Sequence, residues 1–232
     1  MMDSNNFSSH SSMKIQNLVL LGPPGSGKST QAHLLVERLH LTHIDTGAAL
    51  RRVSSQDTAF GRSLYEIINV RKELVSDGTV GAVLMHEMES VAPESGVVID
   101  GAPRRASQID EVERAFHQHA RVLDTVIFIY LPEDISIERI ASRFACTRCN
   151  KPYIIALNDR DHHSLVCDDC GGALEQRKDD TPDGVRKRLE VFAEETLPVI
   201  ERYRKAGKLL QVDGTKSAEE IFEDIKKGLS LE

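Results

Sequence analysis

Short apolar runs alternate with longer amphipathic stretches along most of this 232-residue chain. The first apolar run, residues 15–21, is followed directly by Gly-Pro-Pro-Gly. A mostly apolar run of this length, bounded by turn residues, is typical of a strand buried on both faces, as in a parallel sheet. Runs of the same kind recur at residues 41–44, 97–99, 125–131 and 209–212.

Stretches with apolar residues at helical spacing lie between these runs. They span residues 29–40, 79–90, 106–119 and 183–206. The last of them has an N-cap and a first-turn proline in Thr181-Pro182, closes at Gly207 and should kink at Pro198. A capping box at residues 217–220 opens one more helix. Strands that alternate with helices predict an α/β fold, in which a parallel sheet carries helices on both faces.

Two stretches break this alternation and are predicted to be insertions on the core. Residues 45–75 are helical in pattern but supply no strand, and residues 142–180 hold all the cysteines and few apolar side chains. Residues 1–12 are rich in Ser and Asn, which predicts a disordered tail before a single domain at 13–232.

The composition and charge of the chain argue against several classes of protein. Hydrophobic residues make up 40% of the chain, and no run approaches the roughly 18 apolar residues of a membrane span. The first residues lack the charged and apolar regions of a secretory signal, so we expect a cytoplasmic protein without membrane contact. The net charge of −7 argues mildly against a nucleic-acid partner.

The clearest chemical motif follows the first predicted strand. Residues 22–29, Gly-Pro-Pro-Gly-Ser-Gly-Lys-Ser, match the phosphate-loop pattern G-x-x-x-x-G-K-[S/T] and open a predicted helix. A polyphosphate needs several converging backbone N–H donors and the positive end of a helix, and glycines permit the tight bend. Lys28 should reach the β- and γ-phosphates, and Ser29 should face Mg²⁺. The alternative, a chance match in a glycine-rich turn, fits the flanking strand and helix less well.

Four cysteines form the second motif. Cys146-x-x-Cys149 and Cys167-x-x-Cys170 are separated by seventeen residues, the spacing of a structural zinc site made of two knuckles. Four thiolates leave no open coordination position, so the metal would be structural. A redox dithiol or disulfides are the competing interpretations.

Arginines cluster in further segments near the ends of predicted strands. They include Arg51 after the second strand, Arg104 after the third, and Arg143, Arg177 and Arg188 around the cysteine stretch. Ligands of open parallel sheets bind beyond the carboxyl ends of the strands. One lysine and several arginines there suit two phosphate chains that meet end to end, because phosphoryl transfer depends on positioning and charge neutralisation.

With these motifs the sequence closely resembles the adenylate kinase family, in the long form with a zinc-bearing lid, over residues 13–229. The resemblance implies a P-loop three-layer fold with a five-stranded parallel sheet. It further implies an AMP-binding insertion at 45–75, a zinc-bearing lid at 142–180 and a monomeric enzyme. The activity it implies is reversible Mg²⁺-dependent phosphoryl transfer from ATP to AMP, giving two ADP.

The resemblance also assigns site residues. The ATP site would comprise Gly25, Ser26, Gly27, Lys28, Ser29, Thr30, Arg143, Pro152, Tyr153 and Lys216. The AMP site would comprise Thr46, Arg51, Glu73, Leu74, Val75, Gly101, Ala102, Pro103, Arg104, Gln108, Arg177 and Arg188. The catalytic cations would be Lys28, Arg104, Arg143, Arg177 and Arg188. Asp100 matches the aspartate that organises Mg²⁺ through water.

The chain departs from the family pattern at a few positions. Ala48-Ala49 replaces Asp-Met, Ala102 replaces a phenylalanine near the acceptor base, and Phe144 replaces an arginine. Thr46 still favours AMP, because relatives that act on UMP or CMP tend to carry alanine there, and Gln108 offers a donor and an acceptor to adenine. A kinase for another nucleoside monophosphate remains the first alternative. A zinc-ribbon ATPase that binds nucleic acid is the second.

Overall fold

The computed structural model describes residues 16–71, 75–149, 151–155, 165–176 and 180–231. The predicted tail and several predicted site residues lie outside the described residues, namely 1–12, Glu73, Leu74 and Arg177.

The strands, in chain order, are β1 (Asn17–Leu21), β2 (Thr42–Asp45), β3 (Val97–Asp100), β4 (Thr125–Tyr130), β5 (Arg143–Cys146), β6 (Pro152–Ile154), β7 (Leu174–Glu175) and β8 (Leu209–Asp213). Five of them form a parallel sheet in the order β2-β3-β1-β4-β8. The remaining three form a small antiparallel sheet in the order β6-β5-β7. The predicted five-stranded parallel sheet is therefore confirmed.

The α-helices are α1 (Lys28–Leu39), α2 (Thr46–Ser54), α3 (Ala59–Tyr65), α4 (Asp77–Glu89), α5 (Ile109–Gln118), α6 (Glu133–Ala141), α7 (Pro182–Val191), α8 (Leu197–Lys205) and α9 (Ala218–Gly228). A 3₁₀ turn at Ala106–Gln108 precedes α5, and π-helical segments lie at Glu66–Arg71 and Phe192–Thr196.

The apolar side chains of the main sheet divide between two cores. On β1, Val19 and Leu21 belong to the larger cluster, whereas Leu18 and Leu20 belong to the smaller one. The larger cluster includes residues of α4, α5 and α8, and the smaller includes residues of α1 and α9. Successive side chains of a strand point to opposite faces, so a strand covered on both sides must be apolar throughout. This arrangement explains the continuous apolar runs and gives the three layers.

The predicted helix at 183–206 is interrupted rather than simply kinked. Thr181 caps its start, accepting a 3.1 Å hydrogen bond from the Gly184 N–H, as expected. The π-helical segment Phe192–Thr196 then ends just before Pro198. Proline has no N–H to donate to the preceding turn, and a wider turn accommodates that loss. The capping box between Ser217 and Glu220 is present as predicted.

The two predicted insertions differ in character from the core. Residues 46–71 form α2, α3 and a π-helical segment, with no strand among them. The antiparallel sheet β6-β5-β7 surrounds its own small apolar cluster, which includes Phe144, Leu174 and two cysteines. Among the described residues, no helix has both the length and the apolar character needed to cross a membrane.

Candidate active site and metal centre

The phosphate loop connects β1 to α1, as its sequence predicts. Gly27, the last residue before α1, has φ +90°, a left-handed conformation that glycine adopts without steric cost. Ser136 of α6 braces the loop, because its hydroxyl donates to the Pro24 carbonyl at 2.6 Å. Within the loop, the side chain of Ser26 is fully buried. A preformed loop at a helix N-terminus is suited to an anionic phosphate.

The Lys28 ammonium group is held inside this loop. Its Nζ donates to the carbonyl oxygens of Gly22 at 2.8 Å and Pro23 at 2.9 Å. Burial lowers the pKa of Lys28 to about 8. The carboxylate of Asp100 opposes this shift, whereas the guanidinium groups of Arg104 and Arg143 add to it. Phosphate oxygens could replace the loop carbonyls as partners of this cation.

Ser29 and Asp100 bring the start of α1 to the end of β3. The Ser29 hydroxyl donates to Asp100 Oδ2 at 3.0 Å, and Asp100 is largely buried. Hydroxyl, carboxylate and water oxygens are the ligands that Mg²⁺ prefers. The chemistry of this oxygen pair therefore fits a magnesium ion next to the phosphate loop.

The N-terminus of α2 lies beside this pair, because Asp45 and Asp100 are register partners at the ends of β2 and β3. Asp45 caps α2 by accepting the Ala48 N–H at 2.8 Å, and its second oxygen lies 3.9 Å from the Arg51 guanidinium. Thr46 is only 1% exposed, and its hydroxyl has no hydrogen-bond partner among the described residues. A buried hydroxyl without a partner is costly, and a hydrogen bond to a ligand at this position would offset that cost.

Two glycines allow the predicted acceptor segments to approach each other. A Cβ added to Gly101 would lie 3.5 Å from the Gly47 nitrogen and 3.8 Å from a guanidinium nitrogen of Arg104. One added to Gly47 would lie 3.3 Å from the Arg51 guanidinium. Burial lowers the pKa of Arg104, with Asp100 and Asp45 opposing that shift and Arg51 adding to it. Arg51 and Arg104 thus face the same small space.

Gln108 is buried and lies next to Arg104, as expected. Its side-chain oxygen accepts the Arg104 backbone N–H at 2.7 Å. One lone pair of this oxygen is therefore occupied, while its second lone pair and the amide nitrogen remain for a base. The role of Gln108 as both donor and acceptor toward adenine stays a prediction. The neighbouring Ala102 and Pro103 are buried, as is Val75.

Arg143 and Arg188 are joined by a carboxylate that the sequence analysis did not single out. Asp180, whose side chain is 0% exposed, accepts hydrogen bonds from Arg143 Nε at 3.0 Å and from Arg188 at 2.9 Å. Charged pairs at this spacing form strong hydrogen bonds. The signal in the sequence was an acidic residue directly before the Thr181 cap, which is common at helix starts and therefore uninformative.

Arg139 is a second residue whose contacts only the structure reveals. It donates to the Gly214 carbonyl at 2.8 Å and the Thr215 carbonyl at 3.2 Å, and lies 3.5 Å from the Gly25 carbonyl. It therefore ties α6 to the phosphate loop and to the loop after β8. Lys216, predicted for the ATP site, lies in that same loop and pairs with Asp224 at 2.6 Å. Thr30 is exposed on α1.

The four cysteines come together at the small sheet. Their sulfur atoms all lie within 4.8 Å of one another, with 3.4 Å between Cys146 and Cys170 and 3.6 Å between Cys149 and Cys167. A tetrahedral zinc with Zn–S bonds of about 2.3 Å requires sulfur separations of about 3.8 Å. The cluster is therefore of the right size to hold a metal ion.

Hydrogen-bond donors around the cluster favour the thiolate form at two of the four cysteines, Cys146 and Cys167. The backbone N–H groups of Arg148 and Cys149 point at Cys146 Sγ at 3.4 and 3.5 Å, and the Cys149 N–H is the chief cause of a lowered Cys146 pKa. A hydrogen bond from the Tyr153 hydroxyl, 3.2 Å from Cys167 Sγ, lowers the pKa of Cys167 to about 6. Tyr153 was expected at the ATP site, yet its hydroxyl contacts this cluster. The side chain of Pro152 is not described.

Comparison with known proteins agrees with this geometry. The family model described as Adenylate kinase matches residues 20–208. The adenylate kinase of Kosmotoga olearia is 38% identical over 213 residues, which cover 92% of this chain and 98% of that relative. Those of Thermoanaerobacter pseudethanolicus and Fervidobacterium nodosum are 38% and 37% identical, over 91% and 89% of this chain and 97% and 94% of theirs. The chain therefore belongs to the adenylate kinase family.

Proposed function

We propose that the chain catalyses reversible, Mg²⁺-dependent phosphoryl transfer from ATP to AMP, giving two molecules of ADP. The observation that carries this proposal is the position of Lys28 in the phosphate loop. Its ammonium group lies close enough to Arg104, on the acceptor side, and to Arg143, beside the lid, for both to lower its pKa. A site that gathers cations from three segments suits two phosphate chains meeting end to end.

The residues divide by the phosphate chain they would hold. The phosphate-loop N–H groups and Lys28 bind the polyphosphate of ATP. Arg51 and Arg104 bind the phosphate of AMP, since both face the space between Gly47 and Gly101. Arg143 and Arg188 neutralise the transferring group after exchanging Asp180 for phosphate oxygens. Arg177 lies outside the described residues, and only the resemblance to the adenylate kinase family assigns it the same role in neutralising the transferring group.

Ser29 and Asp100 would hold Mg²⁺, with Asp100 acting through water. When bound, the ion neutralises charge on the phosphate oxygens and orients them for in-line transfer. The contribution of the chain is to keep the Ser29 hydroxyl and the Asp100 carboxylate adjacent before substrate arrives. Their 3.0 Å hydrogen bond supports this role.

The acceptor is proposed to be AMP. Two polar groups among the described residues are available on this side, the Thr46 hydroxyl, which has no partner there, and the side-chain amide of Gln108. A donor from Gln108 suits the ring nitrogens of adenine, which are acceptors. Ala102 supplies no aromatic ring, so the base would be selected by these polar contacts and by the shape of the pocket.

The cysteine cluster is proposed to hold a structural Zn²⁺ in a lid that closes over ATP. Lid closure excludes water, so that the phosphoryl group reaches AMP and not solvent. Pro152 and Tyr153 begin β6 of this lid and are proposed to contact ATP together with Lys216. We further propose a cytoplasmic monomer without nucleic-acid or membrane partners.

A coupled assay with ATP and a panel of AMP, GMP, CMP and UMP tests the reaction. We expect AMP to be the preferred acceptor, and Lys28→Ala or Arg104→Ala to lower the transfer rate at least 100-fold while circular dichroism stays unchanged. Exposed Arg62→Ala, on α3, is the matched control and should retain activity.

Full activity in the Lys28 or Arg104 variant would contradict the assigned roles. Preference for another monophosphate would refute only the choice of acceptor, and salt-sensitive binding to single-stranded nucleic acid would support the zinc-ribbon alternative.

A further inference from the structure

Tyr153 occupies the centre of β6 and pairs with Phe144 across the small sheet. Its ring packs against the apolar cluster that contains Cys146 and Cys167. A ring fixed in this way holds its hydroxyl at one place, 3.2 Å from Cys167 Sγ. The contact is therefore set by the packing of the lid and does not depend on a flexible side chain.

The hydroxyl is also oriented from its other side. The Asp168 backbone N–H donates to the Tyr153 hydroxyl oxygen at 3.2 Å. Because that N–H uses a lone pair of the oxygen, the hydroxyl hydrogen turns toward the two acceptors that remain, Cys167 Sγ and the Asp168 carboxylate.

These two acceptors differ in whether another donor can take the place of the Tyr153 hydroxyl. Cys167 is only 2% exposed, so water cannot replace a lost donor at its sulfur. The Asp168 carboxylate is 69% exposed and is already paired with Lys151 at 3.0 Å. A metal-bound thiolate carries negative charge, and hydrogen bonds to charged acceptors are about twice as strong as neutral ones.

We propose that Tyr153 is a positioning residue of the metal centre, whose hydroxyl hydrogen-bonds the Cys167 thiolate and slows loss of the metal. The inference rests on the proposed metal at the cysteine cluster. Donors in the shell around a metal's ligands commonly change metal affinity 10- to 100-fold. Since Tyr153 also lies at the β6 segment proposed to contact ATP, the same residue would link metal retention to the nucleotide side of the lid.

The test uses the full chain and measures metal loss directly. Zinc content and ATP-to-AMP transfer are first established for the unsubstituted protein. Tyr153→Phe keeps the ring and removes only the hydroxyl. We expect zinc transfer to a chromogenic chelator to be about tenfold faster in this variant.

In the cobalt(II) form, the thiolate-to-cobalt band should move to longer wavelength, because the sulfur electrons lose a stabilising donor. Tyr130→Phe, in the main sheet, is the matched control and should resemble the unsubstituted protein.

Three outcomes separate the possibilities. A release rate within twofold of the unsubstituted protein and a superimposable cobalt spectrum would overturn the inference. In Asp168→Ala, Cys167 Sγ is the one of the two acceptors that remains for the Tyr153 hydroxyl, so zinc release should not accelerate. A tenfold acceleration of zinc release in this variant would show that the Asp168 carboxylate is the true partner of the hydroxyl. An unsubstituted protein that holds no stoichiometric metal would refute the metal site itself while leaving the kinase assignment intact.

Discussion

The Ser29 hydroxyl donates a 3.0 Å hydrogen bond to the Asp100 carboxylate across 71 positions of sequence. This bond joins the first turn of α1 to the last residue of β3, so it couples the phosphate loop to the strand end that leads into the proposed AMP-binding segment. The same carboxylate opposes the lowering of the Lys28 pKa by burial. Asp100 is thus the charge around which the lysine, the hydroxyl and the proposed magnesium ion are arranged.

Replacing this carboxylate should uncouple ATP binding from Mg²⁺ use. In Asp100→Asn we expect the Mg²⁺ concentration for half-maximal activity to rise and kcat to fall roughly 100-fold, a loss of about 3 kcal/mol of transition-state stabilisation. Binding of metal-free ATP should change little. Titration of activity with Mg²⁺ is the measurement, and Asp57→Asn, on the 94% exposed Asp57 side chain, is the control. An unchanged Mg²⁺ requirement would exclude Asp100 from the metal site.

The lowered pKa of Lys28 predicts a pH dependence of ATP binding. As pH rises through about 8, Lys28 of the free protein loses its proton, whereas phosphate oxygens favour the charged form. Below pH 8 this group contributes no pH dependence. Above it the apparent Kd for ATP should rise by up to about tenfold per pH unit until the pKa of the bound state is reached. Calorimetric titration between pH 7 and 9.5 checks this, and the slope should vanish in Lys28→Met.

Thr46→Val should separate ligand binding from stability. The variant keeps the shape and removes a hydroxyl that has no partner among the described residues. We expect the free energy of unfolding to change by less than about 0.5 kcal/mol or to increase, since no hydrogen bond is lost. The KM for AMP should rise about tenfold, as expected for the loss of a hydrogen bond worth about 1.4 kcal/mol. A large loss of stability with an unchanged KM for AMP would contradict the ligand role.

Asp180→Ala should be costly for both stability and catalysis. It leaves Arg143 and Arg188 without their shared buried carboxylate, and removing one partner of a buried pair typically costs about 3 kcal/mol. Denaturant unfolding should show that loss, and kcat should fall with it. Asp183→Ala, three residues along the chain, removes an exposed pair with Arg186 and should cost less than about 1 kcal/mol. If the two substitutions lowered the free energy of unfolding equally, burial of Asp180 would not contribute to stability.

Metal removal should loosen the small sheet and spare the main one. The cysteines link only β5, the turn after it and the segment before β7, and their apolar cluster is separate from the two main cores. Chelation under reducing conditions should therefore raise amide hydrogen exchange in β5 and β7 and leave β1 and β3 protected. Equal deprotection of both sheets would show that the metal stabilises the whole chain.

The sequence by itself determined the order and type of the main elements. A parallel sheet covered on both faces requires largely apolar strands, and glycine, proline and capping residues mark the loops between them. The apolar runs therefore located all five strands of the main sheet, β1, β2, β3, β4 and β8. The sequence also predicted the phosphate loop and the cysteine cluster, because the residues of each motif lie within a short stretch of chain.

Only the tertiary structure decided which groups share partners. The buried Asp180 between two arginines, the bond from Ser29 to Asp100 and the use of the Gln108 oxygen by Arg104 all depend on strand order and side-chain direction. The contact of Tyr153 with Cys167 likewise depends on how β6 packs against the cysteine cluster. Local pattern carries no information about such contacts, because they arise when distant segments compete for the same donors and acceptors after the chain has folded.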